Sequence, residues 1–349
     1  MKVFITGATG VFGTRLVDEL ANRGHEPVGL VRDNDGAQLL EQHGGIPVKG
    51  DLFDVDSLAD AAGNADVVVH AATSLPTKTK TEAEDWEQND RVRVEGGKTA
   101  LEAAARIDAD QFLTHTVVWA FRNEDGSPIG QDAAPNTDRT TASVVDVEQA
   151  VQEAGRKHGF DTSILRYGWF YGPDSGQMHN IAENLLADDL PVIGDGLTGR
   201  RGETTISLIH TEDAARAMAS AIEADASGVR HVVDNEPVST DEFFAEFAQL
   251  LDMDEPGRIP GWLAKFFVGE DMVRFLTNSF PVSNDRFVDE VGWEPKYPTY
   301  REGLEMIVNT WLEDGRLIVT DDGYAWGENV SPQYQCRNCG RHFEANTRA

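Results

Sequence analysis

Short β-rich apolar runs alternate with helical stretches through the first half of the chain. The runs Val3–Thr6, Val28–Val31, Val67–Ala71, Gln111–Val118 and Ser163–Tyr167 read as strands. Segments around Thr14–Arg23, Ser57–Ala62, Asp90–Arg106 and Val145–His158 read as helices. This alternation predicts right-handed βαβ units building a parallel sheet covered on both faces. After Tyr171 the prolines Pro173, Pro191, Pro237, Pro256, Pro260 and Pro281 break the pattern into shorter elements. The expected fold class is α/β. A doubly wound parallel sheet would occupy 1–165, a smaller C-terminal substrate lobe 166–312, and a polar tail 313–349. The lobe is expected at the C-terminal edge of the sheet, where open α/β sheets bind ligands.

Composition narrows the partners. The chain has 349 residues, with 60 acidic against 30 basic side chains and a net charge of -30. Only 8 of the basic residues are lysines, and the acid excess is spread along the whole chain. Such a surface repels phosphodiester backbones and anionic headgroups, so neither nucleic acid nor a membrane is an expected partner. It is better tolerated in concentrated salt, where the Debye length falls to about 3 Å at 1 M. A halophilic, cytoplasmic setting is therefore expected. No secretory signal or bilayer-length apolar run is visible, and two cysteines make no disulfide framework.

The sharpest chemical signal follows the first strand: Thr6-Gly7-Ala8-Thr9-Gly10-Val11-Phe12-Gly13. Gly7 suits a tight turn, Gly10 lets backbone approach a pyrophosphate, and Gly13 lets helix and strand pack closely. The start of the helix supplies free N–H donors and partial positive charge. A glycine pattern alone is weak, but this one follows a strand and opens an amphipathic helix, which reads as dinucleotide binding.

With these residues in view, the chain resembles the short-chain dehydrogenases/reductases, in the extended and atypical branches that include NAD(P)-dependent epimerases and dehydratases. Further matches are Gly50-Asp51-Leu52, the Val69–Thr73 stretch, Leu165–Pro173 and Ser207–Ala214. The resemblance covers about residues 1–310 and implies a Rossmann core. It assigns Asp51 and Leu52 to the adenine ring, and Ala71, Ala72 and Thr73 to the cofactor's ribose and phosphates. Thr9, Val11 and Phe12 join the three glycines around the pyrophosphate, and Tyr167 falls where the family wraps the nicotinamide and substrate.

The nicotinamide cofactor is expected to be NADP rather than NAD. NAD binding usually needs an acid at the end of the second strand. Here that place falls on Val31, followed by Arg32. An apolar residue removes repulsion of a 2′-phosphate, and a guanidinium can pair with it.

The family's usual acid is a tyrosine in Tyr-x-x-x-Lys, its pKa lowered by the lysine and the nicotinamide charge. This chain lacks the pair. With Glu148 as anchor, the expected positions fall on Thr140 and Val144, and no tyrosine or lysine occurs between Lys98 and Lys157. Arg93 stands where the family usually carries a structural asparagine. The third polar residue is present as Thr116, expected to orient a substrate oxygen. Strand alternation points His115 to the opposite face. Trp119, Trp169 and Phe170 are expected to line an aromatic pocket with Tyr167 and Tyr171. His179, Arg200 and Arg201 lie in the variable lobe, where surface positions or an anion-holding role are both open.

In the tail, Cys336-x-x-Cys339-Gly340 with His342 has the spacing of half a zinc ribbon. A closed zinc site needs four ligands, so a second subunit or another protein would complete it. A knuckle that no longer holds metal fits equally. Two functions follow. One is an NADP(H)-dependent oxidoreductase acting on a carbonyl, an alcohol or a sugar-nucleotide-type small substrate. The other is a non-catalytic NADPH-binding sensor or assembly subunit that docks through the tail, as a homo-oligomer or on a partner protein.

Overall fold

The computed structural model describes residues 1–76, 78, 80–122, 128–194, 204–320 and 323–327. The first six strands are β1 (Lys2–Thr6), β2 (Glu26–Val31), β3 (Ile46–Lys49), β4 (Val67–His70), β5 (Gln111–Val117) and β6 (Asp161–Tyr167). Four short strands follow: β7 (Trp169–Tyr171), β8 (Val192–Gly194), β9 (Thr205–Ile206) and β10 (Leu208–His210). The chain then returns to the main sheet as β11 (Gly228–Val232). The strand order is β11-β6-β5-β4-β1-β2-β3, parallel throughout.

Alternation along each strand fills two cores at once. Val3 and Ile5 enter one core and Phe4 the other; Val67 and Val69 divide from Val68 in the same way. Helices α1 (Val11–Asn22) and α2 (Asn34–Gln42) contribute to the first core. Helix α3 (Val55–Ala62) supports the second, and α4 (Ala83–Arg91) leads toward it. A π-helical turn at Val92–Gly96 joins α4 to α5 (Gly97–Arg106), which packs with α6 (Ala142–His158) on α3's side of the sheet. Such turns are uncommon and often mark functional sites.

The lobe contains α7 (Gly176–Leu186), α9 (Thr240–Leu250), α10 (Gly261–Thr277) and α12 (Tyr300–Glu313), whereas α11 (Asp285–Val291) returns to β11 and the sheet's first core through Phe287. Between α7 and α9 in the chain, α8 (Thr211–Glu223) packs beside α1 on the sheet instead. Trp169, Tyr171, Phe243, Phe247, Tyr300 and Trp311 centre the lobe's own core. Two of its short strands, β12 (Val238–Ser239) and β13 (Arg258–Pro260), pair with β9 and β8.

The structure departs from the expected boundaries in two ways. Core and lobe interleave, because β6 runs past residue 165 to Tyr167 and both α8 and β11 belong with the sheet. The expected polar tail begins with an antiparallel hairpin of β14 (Leu317–Thr320) and β15 (Gly323–Trp326). Leu317 is buried in the lobe and Trp326 packs near Trp311, which fixes this stretch to the body.

Candidate functional site

The order of strands reverses between β1 and β4, the point where ligands bind in doubly wound sheets. β1 delivers the glycine loop there. Gly7 has φ +78, and an added Cβ would lie 2.6 Å from the Ala72 backbone. At Gly13 a Cβ would collide with the Gly7 carbonyl. Gly10 is different: its φ is -79 and an added Cβ would meet only the Gly7 carbonyl, at 3.4 Å. The fold itself demands Gly7 and Gly13. The room at Gly10 is a shelf that a side chain would fill.

Above that shelf α1 starts with no side-chain cap and no acid in its first turn. By contrast, α2 and α3 are capped by Asp33 and Asp54, which accept from the Gly36 and Ser57 N–H groups. The bare start of α1 suits an anion. Val11 is exposed in its first turn, whereas the Phe12 ring is buried against His115, Tyr167 and Phe170. Phe12 therefore has only its backbone to offer a ligand. Thr9 lies beside Gly36 at the start of α2.

Around this loop, Val31 is buried and Arg32 is exposed at the end of β2. Asp51 is exposed beyond β3. One of its oxygens accepts the Phe53 N–H at 2.9 Å, and its own N–H donates to Ser57 Oγ at 3.0 Å. Leu52 packs against Gly96 in the π turn. The Ala71 N–H donates to the Thr6 carbonyl at 3.0 Å, bringing Ala71, Ala72 and Thr73 behind the glycine loop. These residues gather beyond the C-terminal ends of β1, β2, β3 and β4.

Thr116 is buried, and its hydroxyl donates to Glu148 Oε1 at 2.7 Å. Glu148 also takes two bonds from Arg166, at 2.9 and 2.6 Å, and the guanidinium stacks over Phe121. This sealed pair is costly to desolvate unless every lone pair is used, and Thr116 uses one of them. The hydroxyl expected to face a substrate oxygen is committed to this network instead.

Tyr167 also lies elsewhere than expected. Its ring is 1 % exposed and its hydroxyl donates to the Ala214 carbonyl at 2.8 Å, because α8 packs across that end of β6. Burial holds its phenol well above the usual range. Tyr171 is fully buried in the lobe, and burial raises its phenol too. Both rings are packed into cores rather than lining an open cleft. His115 sits among Phe12, Tyr167 and Phe170, opposite Thr116, with Nδ1 sealed and unpartnered. Burial, then the charge of Arg93, lowers it to about 3. His70, bonded through Nδ1 to Thr6 at 2.8 Å, is lowered to about 4 by the same two causes. His179 is buried beside Trp311 and Trp326 rather than at the surface.

The positions expected for tyrosine and lysine are occupied differently. The Thr140 hydroxyl donates to Asp138, whose carboxylate also receives the Thr140 N–H and pairs with Arg274 at 3.0 Å. Val144 is buried. Thr140 lines a cleft with Trp119, Phe121, Arg122, Asn136 and Phe275. The cleft mixes aromatic walls with guanidinium, carboxylate and amide groups. Trp119 lines it, and Trp169 is buried on Phe243 and Phe275.

In sequence, Arg93 is legible only as a departure from the family. In the structure it projects from the π turn, buried, and donates from Nη1 to Ser143 Oγ at 2.8 Å. Arg200, Arg201, Cys336, Cys339 and His342 lie outside the described residues. Among the described residues no group of three metal-binding side chains occurs, and no helix is long and apolar enough to cross a membrane.

Comparison with known proteins follows the same lines. A 3-diazoavenalumate denitrifying reductase from a Streptomyces species is 31% identical over 317 residues, covering 87% of this chain and 99% of the relative. The fold matches a human epimerase family protein, SDR39U1, solved with NADPH, at a TM-score of 0.73 and 19% identity, covering 88% of this chain and 99% of that one. It also matches a UDP-glucose 4-epimerase from Thermus thermophilus solved with NAD, at a TM-score of 0.69 and 23% identity, covering 88% and 98%. The family model for NAD dependent epimerases and dehydratases matches residues 3–234, which span the glycine loop, the β4 alanines and all seven strands of the main sheet. With that span matched, the chain belongs to the NAD dependent epimerase/dehydratase family of oxidoreductase-type proteins.

Proposed function

We propose that the chain binds NADP(H) across the glycine loop and reduces a small electrophile held in the Thr140 cleft. The observation that carries the cofactor reading is Gly10. It is the glycine of the loop that the protein's own packing leaves unneeded, and it lies beneath an uncapped helix start. A close-approaching pyrophosphate accounts for both. Arg32, exposed beside buried Val31 at the end of β2, favours a 2′-phosphate over a bare ribose. When bound, the nicotinamide supplies the hydride; the protein's part is to position, orient and exclude water.

The protein's own groups restrict what that hydride can reduce. Reduction of a carbonyl leaves an alkoxide that needs a proton. Thr140 and Val144 offer no phenol or ammonium, Thr116 is held by Glu148, and half-buried His115, lowered to about 3, is neutral. An aryl diazonium cation accepts hydride at its terminal nitrogen to give a neutral aryl diazene, which loses N2 as its hydrogen passes to the ring carbon, so the hydride step needs no such donor. The diazo substrate and the denitrifying reduction in the name of the Streptomyces relative fit that class in its diazonium form. Aromatic side chains at Trp119 and Phe275 suit a flat substrate, and Arg122 in the lining suits an acidic group on it.

The test is NADPH consumption by the full chain in salt, against aryl diazo compounds, simple carbonyls and sugar nucleotides, with products identified by mass spectrometry. The reading expects turnover with the diazo class above all. Turnover confined to carbonyls or sugar nucleotides would remove the proton-free argument. Bound NADPH with no turnover on any class would favour the sensor or assembly role, which the missing tyrosine and lysine also suit.

A further inference from the structure

The first half of α10 is amphipathic the wrong way round. Ala264 is buried, while Trp262, Phe266 and Phe267 stand 56 %, 72 % and 67 % exposed. A helix packed on a folded body ordinarily turns its large apolar residues inward. Trp262 and Phe266 are four residues apart, as are Leu263 and Phe267, so these side chains share one outward stripe. At Gly269 the backbone reaches φ +83 and breaks the helix. The second half then lines the Thr140 cleft through Asp271, Arg274 and Phe275.

The charge around the stripe is also unlike the rest of the surface. Acids make up 60 of the 349 residues, yet none occurs in 256–269 or in 67–81. These two segments meet where Lys80 packs on Gly269: a Cβ added to that glycine would lie 3.1 Å from Lys80 Cγ. Lys78, Lys80 and Lys265 are all exposed, three of the chain's 8 lysines. Acids enter only at the margin, where Asp85 pairs with Lys78 and Glu270 with Lys265.

Area selects the occupant. The three rings leave roughly 350 Å² of aromatic surface in water. That is less than half of the roughly 800 Å² per partner that a stable protein interface covers. A lipid surface needs no matching contour: Trp and Phe enter at headgroup depth while lysines meet phosphate. We propose that the stripe of Trp262, Phe266 and Phe267 docks this protein on a phospholipid surface, with Lys80 and Lys265 against headgroup phosphates. The acidic body repels such a surface over about 10 Å in 0.1 M salt, but over only about 3 Å at 1 M. Insertion of the rings is not screened. Docking therefore strengthens as salt rises, the reverse of a purely electrostatic attachment.

The test is flotation of the full chain with phosphatidylglycerol and phosphatidylcholine vesicles at about 0.1 M and 1 M salt, with no nucleotide present. The bound fraction is expected to be larger with phosphatidylglycerol and larger at the higher salt. F266S/F267S should weaken vesicle binding by roughly tenfold or more. Both positions are exposed, so its urea midpoint should stay where it is. V319S removes a comparably exposed apolar side chain on β14 and should leave binding unchanged. Wild-type binding in F266S/F267S, an equal loss in V319S, flotation with phosphatidylcholine alone, or no flotation at 1 M salt overturns the proposal. So does sedimentation showing a wild-type dimer without vesicles and an F266S/F267S monomer, which would assign the stripe to a second copy of this chain.

Discussion

The Thr116 hydroxyl donates to Glu148 at 2.7 Å, and Glu148 is the carboxylate that neutralises buried Arg166. A residue that the sequence offers as a substrate contact thus completes an ion pair joining β5, β6 and α6. Removing one bond from that network differs from breaking the pair. T116V should cost roughly 1–2 kcal/mol of stability, whereas E148A should cost roughly 3–5 kcal/mol by leaving Arg166 alone. Urea unfolding measures both. A T116V variant of unchanged stability that lost all activity would restore Thr116 to the reaction.

The three glycines of the loop should separate by what they serve. G13A forces a Cβ into the Gly7 carbonyl and should lose roughly 1–3 kcal/mol of stability or fail to fold. G10A has room, and should lose about 1 kcal/mol or less as a poorer helix cap. Its NADPH affinity should nevertheless drop. Thermal unfolding without ligand, paired with titration, distinguishes the two; equal stability losses would contradict the account.

Acid should destabilise the fold through histidines that it holds neutral. His70 and His115 are lowered to about 4 and about 3 when folded, against about 6.5 in an unfolded chain. Above pH 6.5 both states are neutral and these groups contribute nothing. As pH falls below that, the unfolded chain takes up protons that the folded one refuses, so stability declines toward pH 4. The urea midpoint should be lower at pH 5 than at pH 7.5, with a smaller drop in H115L. A midpoint independent of pH over that range would contradict the assignment.

A net charge of -30 carries its own expectation. Raising salt from about 0.1 M to 1 M shortens the Debye length from about 10 Å to 3 Å. The unfolding midpoint should climb across that interval as self-repulsion is screened. A flat or falling midpoint would remove the salt-adapted reading.

The parts of this fold legible in the sequence are the local ones. The alternation that sends Val3 and Ile5 one way and Phe4 the other is a pattern of adjacent residues, as is the glycine loop. The missed parts depend on distant partners. β11 joins β6 from 60 residues downstream, so nothing near Gly228 announces that it belongs to the sheet. Thr116 finds Glu148 across 32 residues and Arg93 finds Ser143 across 50. Tyr167 sits in the family's pocket motif, yet α8, coming later in the chain, closes over it. The β14–β15 hairpin is local as well, since Leu317-Ile318-Val319-Thr320 is an apolar, β-branched run, and counting it with the polar tail overlooks that pattern.

The central claim is that this chain holds NADP(H) on the Gly10 shelf with its 2′-phosphate at Arg32. The most direct measurement is a pair of equilibrium titrations, NADPH and NADH, on wild type and R32A in salt. The account predicts saturable one-to-one binding of NADPH, NADH weaker by about tenfold, and a gap that closes in R32A. No saturable dinucleotide binding, or a ratio that R32A leaves untouched, would contradict it.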